Sequence, residues 1–388
     1  MGIKIFLYLS FLILFYAYFG YALIALIFIY QRKGKNIQQY QDFELKSLTL
    51  IIAAFNEEAF IEEKIINSLA LKYDKNKFKI YIVTDGSTDL TATIVKKYPE
   101  IIHFHENKRE GKIAAVNRIM NFVDTEIVVF SDANTLISED SLLKIMKHYA
   151  NPKVGGVAGE KRILQNKKDE LAGKGEGLYW KYESILKNID SQFYSVVGAA
   201  GELFSIRTNL YQHPGNNVLL DDFLISLNVC LKGYKIAYEP DAYALEKPSF
   251  SLKEERKRKI RISAGGFQSI IMLKELFKFW KYPKLSFLYI SHRVLRWTIC
   301  PILLPLLVLF NLIQLTISFD YFFLITMAFQ LLLYLLAFAG YLFSRINIKI
   351  KIMQFAFYFV FMNISLYIGF YKFLKGKQSV LWDKAKRS

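Results

Sequence analysis

At 388 residues the chain has room for a full catalytic core with something attached, since globular domains cluster near roughly 100 to 200 residues. Its 53% hydrophobic and 16% aromatic content, with a mean hydropathy of +0.21, leaves too little polar surface to cover a soluble protein of this size. A formal charge of +17 allows nucleic acid, anionic lipid or an anionic substrate as partner, depending on where the surplus sits, and two cysteines, Cys230 and Cys300, exclude a disulfide scaffold and a cysteine-ligated zinc site.

The first element is apolar. From Ile5 to Tyr30, 26 residues are interrupted only by Ser10 and Gly20, more than the roughly 20 that a helix needs to cross the hydrocarbon core. The apolar part of a cleaved signal peptide runs to about 7 to 15 residues, so 1–35 is expected to be an uncleaved transmembrane anchor. Arg32, Lys33 and Lys35 follow and put that end in the cytoplasm.

Residues 36–283 hold most of the polar side chains and alternate strand with helix. Leu48–Phe55 is a β-branched apolar run followed by a helical pattern over Glu57–Leu71. The pair repeats as Phe78–Thr84 with Thr88–Tyr98, Ile101–His105 with Lys112–Phe122, and Glu126–Ser131 with Glu139–Tyr149. This order predicts an α/β domain with a mostly parallel sheet covered on both faces. After it, 284–297 mixes Phe287, Tyr289 and Trp297 with His292, Arg293 and Arg296, a pattern that suits either an interfacial helix or an ordinary linker helix. The region 298–373 contains three more apolar runs, Thr298–Ser318, Tyr321–Phe343 and Ile352–Phe373, and a basic tail, 374–388, closes the chain. More than half of the surplus charge falls from 286 onward, beside the membrane segments, and no basic stripe carries interleaved aromatics. Membrane lipid is therefore expected as a partner and nucleic acid is not. Three C-terminal crossings would place the basic loop Arg345–Lys351 and the basic tail on opposite sides, so either the tail departs from the positive-inside tendency or one segment does not cross.

In a parallel sheet ligands bind beyond the carboxyl ends of the strands. Each strand here ends in polar residues: Asn56-Glu57-Glu58, Asp85-Gly86-Ser87-Thr88-Asp89, Asn107 to Lys112, and Ser131-Asp132-Ala133-Asn134. Any one of them can be turn or capping chemistry. Together they bring carboxylates and cations to one crevice, the ingredients for a nucleoside diphosphate and its divalent ion. No Gly-x-Gly-x-x-Gly or Gly-x4-Gly-Lys-Ser/Thr follows the first strand, which argues against a dinucleotide oxidoreductase or P-loop ATPase. His103 and His105 share one face of a strand without acids at ligand spacing, so a structural role is expected.

The runs Ile51 to Glu58, Asp85 to Asp89, Gly111-Lys112-Ile113-Ala114-Ala115-Val116-Asn117, Phe130 to Asn134, Gly198-Ala199-Ala200-Gly201, Asp221-Asp222-Phe223 and Arg258-Lys259-Ile260-Arg261 occur in an order that resembles glycosyltransferase family 2, over about residues 48–268. The resemblance implies a GT-A fold, and the flanking apolar segments look like those of membrane-bound members such as cellulose and hyaluronan synthases. It implies that the backbone at Ala53 and Ala54, with Glu57, cradles a uridine, that Asp85 binds the base, and that Lys112 lies near the nucleotide. Asp132 and Asn134 take the place of the family's Asp-x-Asp, implying a Mg2+ or Mn2+ held more weakly, because an amide is a poorer ligand than a carboxylate. Asp222 matches the base that takes the proton of the acceptor hydroxyl, although two acids here could equally offset a helix dipole. Arg258 and Arg261 fall on the Gln-x-x-Arg-Trp positions of the processive synthases, where the Arg steadies the leaving pyrophosphate; Arg258 replaces the Gln and Ile262 the Trp. Tyr179-Trp180-Lys181-Tyr182-Glu183 resembles a stretch that lines the acceptor cleft, or packs as core.

The function expected is an inverting glycosyltransferase in the cell membrane, multi-pass, its catalytic domain cytoplasmic, moving sugar from a nucleotide-diphosphate donor (UDP-linked by resemblance) to a lipid-linked or growing glycan acceptor. The alternative is a catalytically inactive scaffold or accessory subunit in polysaccharide assembly, supported only by Asn134. Sugar, acceptor, linkage and oligomeric state are not written in these motifs.

Overall fold

The computed structural model describes residues 1–32, 43–164, 171–247, 251–346 and 350–381, the side chains of 171–178 and 345 excepted. The join between anchor and domain, 33–42, and the end of the basic tail, 382–388, lie outside the described residues. The chain divides into two compact units.

One unit comprises Gln31–Gln165, Glu183–Ser249 and Gln378–Ser388 and is built on an eight-stranded sheet. The strands are β1 Leu48–Ala54, β2 Phe78–Asp85, β3 Ile102–Glu106, β4 Ile127–Asp132, β5 Thr135–Ile137, β6 Val154–Ile163, β7 Phe204–Arg207 and β8 Lys235–Glu246, in the order β3-β2-β1-β4-β7-β6-β8-β5. β1 pairs parallel with both β2 and β4, and β2 with β3. A strand enclosed on both faces must be apolar on both, and β1 buries Leu48, Leu50 and Ile52 on one face and Thr49 and Ile51 on the other. Each buried Leu or Ile contributes about 1.5–3 kcal/mol. Beyond β4 the sheet is mixed: β7 runs antiparallel to β4 and β6, β6 parallel to β8, and β5 antiparallel to β8. The helices Ile61–Leu69, Thr91–Val95, Lys112–Met120 and Ser141–His148 follow β1, β2, β3 and β5, and the first two start three or four residues later than their sequence patterns because the intervening residues form turns.

The other unit comprises Met1–Tyr30, Asn166–Tyr182 and Phe250–Lys377. Among the described residues four helices are long and apolar enough to cross a membrane: Gly2–Arg32, Ile299–Ile317, Tyr321–Ser344 and Lys351–Leu374. They mark the chain as a membrane protein. Leu7, Leu307 and Phe323 bury one another, and Lys4 Nζ meets Asp320 at 3.2 Å where two of these helices begin.

The helix Leu252–Met272, expected to belong with the α/β domain up to 283, clusters with the apolar helices instead. Its reason is a close packing: Gly369 leaves no room for a side chain against Ser263, Ala264 N and Ile260 O, and Phe267 lies 4.8 Å from the Phe370 ring. The segment 284–297 is a helix with a π-helical turn at Tyr289–Val294, and it buries Leu285, Leu288, Tyr289 and His292 within its unit. Exposed aromatics and a lysine lie just upstream, at Phe279, Trp280 and Lys281.

Candidate active site

The carboxyl ends of β1 and β2 open onto a cleft lined by Ala53, Ala54, Phe55, Asp85, Arg109, Gly111 and Lys112. Its floor depends on two glycines with left-handed backbone. Gly86 (φ +66°) turns the chain directly under Arg109, whose N would be 2.6 Å from a β-carbon there, and Gly111 (φ +99°) caps the helix Lys112–Met120. Asp85, at the end of β2, is 4% exposed. Its Oδ2 accepts from the Glu110 and Gly111 amides at 2.9 and 2.7 Å, and its Oδ1 accepts from Arg118 Nη2 at 2.7 Å. The carboxylate thus anchors the loop 109–111 and keeps spare lone pairs toward the cleft. The Arg109 guanidinium covers the Phe55 ring at 3.7 Å. Glu57, by contrast, is not among the cleft-lining residues, and its amide donates to Thr91 Oγ1 at 2.8 Å in the turn after β1.

A charge cluster adjoins the cleft. Lys112 Nζ donates to Asp132 Oδ1 at 2.5 Å. Asp222 stands in the first turn of the helix Asp221–Leu231, a position where acids offset the helix dipole. The three groups converge on Gly201: a β-carbon there would be 3.1 Å from Lys112 Nζ, 3.3 Å from Asp222 Oδ2 and 3.7 Å from Asp132 Oδ1. Asn134 is half-buried in the two-residue turn between β4 and β5, just beyond Asp132.

The electrostatics follow from burial. Desolvation, reinforced by Asp221 and opposed by Lys112, pushes the Asp222 carboxyl up to about 7. Desolvation also raises Asp132, against the pull of Lys112 and with help from Glu202. Burial disfavours the Lys112 cation, but Asp132, Asp221 and Asp222 together overcome it and hold its pKa above the ordinary lysine value.

Two buried lysines lie behind the cluster, and the sequence reading did not single them out. Lys64 Nζ donates to Ser131 Oγ at 2.7 Å and to the Thr135 carbonyl at 2.8 Å, so it clamps both ends of the turn that carries Asp132 and Asn134. Desolvation lowers it to about 7 against the attraction of Asp132. Lys161 on β6 pairs with Glu202 at 2.5 Å and with Glu246. A signal for Lys64 existed: with Ile61, Ile65 and Ser68 it occupies the buried face of an amphipathic helix.

His103 and His105 both bond Thr84 Oγ1, at 2.9 and 2.8 Å. In the membrane unit, Arg258 Nε and Nη2 each bond Glu255 at 3.1 Å, Lys259 Nζ lies 5.3 Å from the Tyr179 ring and 5.6 Å from the Trp180 ring, and Arg261 is half-buried on the same helix. One further neighbour of the cleft was not anticipated: a β-carbon on Gly111 would be 3.6 Å from Leu381 Cδ2 and 3.7 Å from the Val380 carbonyl oxygen.

The family described as Glycosyl transferase family 2 matches residues 49–213. Similar proteins include the poly-beta-1,6-N-acetyl-D-glucosamine synthase of Staphylococcus aureus (strain COL), 28% identical over 248 residues covering 60% of this chain and 57% of the relative. The synthase of the same name from Staphylococcus epidermidis is 27% identical over 258 residues, 64% of this chain and 60% of the relative. The chain thus spans less than two thirds of the length of these relatives. Among solved structures, the mannosyltransferase PcManGT from Pyrobaculum calidifontis, in complex with GDP-Man and Mn2+, superposes with a TM-score of 0.70 at 22% identity over 96% of this chain and 99% of its own.

Proposed function

We propose, from the match of residues 49–213 to glycosyl transferase family 2 and the GT-A fold, that the protein is an inverting membrane glycosyltransferase, taking sugar from a nucleoside-diphosphate donor to a lipid-linked or growing glycan acceptor. The observation that carries the proposal is the convergence of Lys112, Asp132 and Asp222 on Gly201 beside a cleft at the carboxyl ends of parallel strands.

In this reading the nucleotide lies along Ala53, Ala54 and Asp85, with Arg109 and Phe55 as one wall. Asp222 takes the proton of the acceptor hydroxyl as its oxygen attacks the anomeric carbon. The bond to the diphosphate breaks on the opposite face, and its electron pair leaves with the diphosphate. A carboxyl raised to about 7 is matched to that task at neutral pH. The donor set also fits a divalent ion: Asp132 and Asn134 are hard oxygen ligands on one turn, and Mg2+ and Mn2+ sites of this kind draw one or two protein ligands and complete the rest from phosphate. When bound, the ion would withdraw charge from the leaving diphosphate. Arg32, Lys33 and Lys35 after the first span support a cytoplasmic catalytic domain and a multi-pass chain in the cell membrane, where lipid is a partner.

A donor screen tests the proposal. Full-length protein in detergent, supplied with membrane extract, should release nucleotide from at least one sugar donor. A UDP-linked N-acetylhexosamine is the first choice, after the staphylococcal relatives, and GDP-mannose the second, after the structural neighbour. Nucleotide binding without release from any donor would overturn it in favour of a scaffold.

A further inference from the structure

The Lys112 ammonium sits on the carboxylate that a divalent ion would need. It touches Asp132 Oδ1 at 2.5 Å and, like Asp222 Oδ2, crowds Gly201, where a β-carbon would be 3.1 Å from Lys112 Nζ and 3.3 Å from Asp222 Oδ2. Asn134 cannot compensate, because its amide is neutral, and among the described residues no group of three or more His, Cys, Asp or Glu side chains converges as a metal site. Lys112 also lines the nucleotide cleft, so its ammonium is placed to reach a diphosphate as well as Asp132.

We propose that Lys112 is a resident counter-cation that blocks Asp132 to bare metal and gives it up only when a nucleoside diphosphate arrives. The incoming phosphate oxygens then take the ammonium, freeing Asp132 Oδ1 for the divalent ion that the same phosphates help to hold. Metal and nucleotide bind as a unit, and the ion does not precede the nucleotide. This rests on the transferase reading for the identity of the ligand, but the blocking contact is tested without it.

The experiment is a titration of Mn2+ into the full-length protein in detergent, reading free Mn2+ by electron paramagnetic resonance, with and without UDP or GDP. The parent should bind Mn2+ alone at least about tenfold more weakly than with nucleotide, a difference on the scale of one charge-assisted contact. Lys112→Met should tighten binding of Mn2+ alone by about tenfold or more while weakening UDP and GDP. Adding Asp132→Asn should remove the gained Mn2+ binding, and Lys112→Arg should preserve the block. Lys112→Gln serves as a second neutral variant should the methionine fail to fold, with melting temperature as the check. Equal Mn2+ affinity in parent and neutral variants, or Mn2+ binding to the parent that is indifferent to nucleotide it does bind, overturns the proposal. Absence of UDP and GDP binding would instead count against the transferase reading, and the comparison of parent with Lys112→Met in Mn2+ alone would still decide the role of Lys112.

Discussion

At the scale of single residues, the proposed chemistry would rest on groups whose charge is set by enclosure. Replacing Asp222 by Asn keeps its shape and removes its basicity, which should lower kcat on the order of 100- to 10,000-fold while nucleotide affinity, measured by titration, changes little. The same group sets a pH dependence. Because burial and Asp221 raise the folded carboxyl to about 7, the basic form is lost as pH falls through that value, so kcat/KM should decline below about pH 7. Asp221→Asn removes a repulsion and should move that limb to lower pH; an unmoved profile would remove Asp222 from the role. Lys64 offers a stability counterpart. Its folded value of about 7 lies below the ordinary 10.5, so between these limits the unfolded chain holds the extra proton and stability should rise with pH. Comparing the melting temperature of the parent with that of Lys64→Met across pH 7 to 10.5 should show the parent gaining on the variant, and a constant difference would count against a buried, titrating ammonium.

At the scale of elements, helix packing in the membrane unit depends on a missing side chain. A β-carbon on Gly369 would be 2.4 Å from Ser263 Cβ and 2.9 Å from the Ile260 carbonyl oxygen. Gly369→Leu should force the helices Leu252–Met272 and Lys351–Leu374 apart and cost about 1–3 kcal/mol, read as a lower melting temperature in detergent. The elements also show what could be seen in advance. β1 to β4 were legible because parallel strands enclosed on both faces are continuous apolar runs bounded by turn residues. β5 and β7, with three and four residues, are too short to carry a pattern, and β6 contains Gly155, Gly156 and Gly159. Those glycines are read only in three dimensions: a β-carbon on Gly156 would be 2.7 Å from the Ser205 carbonyl oxygen. The site divides in the same way. Asp85, Lys112, Asp132 and Asp222 stand in strand-end motifs or beside a helix start, whereas the Arg118 that holds Asp85 and the Lys161 that holds Glu202 depend on partners 33 and 41 positions away.

For the whole molecule, four helices long and apolar enough to cross a membrane accompany a segment, residues 49–213, that matches glycosyl transferase family 2. Its orientation is testable at Lys232, exposed after the helix Asp221–Leu231, while the natural Cys230 and Cys300 are buried. With the domain in the cytoplasm, Lys232→Cys should react with an impermeant maleimide only after cells are permeabilised, and labelling of intact cells would reverse the topology. The position of Val380 and Leu381 against Gly111 bears on how such a protein is handled. A label or protease site inserted beside Val380 and Leu381 would lie within a few ångströms of Gly111 in the cleft wall, and should depress turnover while expression and folding look normal. The exposed turn at Lys232 and Gly233 is the better place for an inserted label.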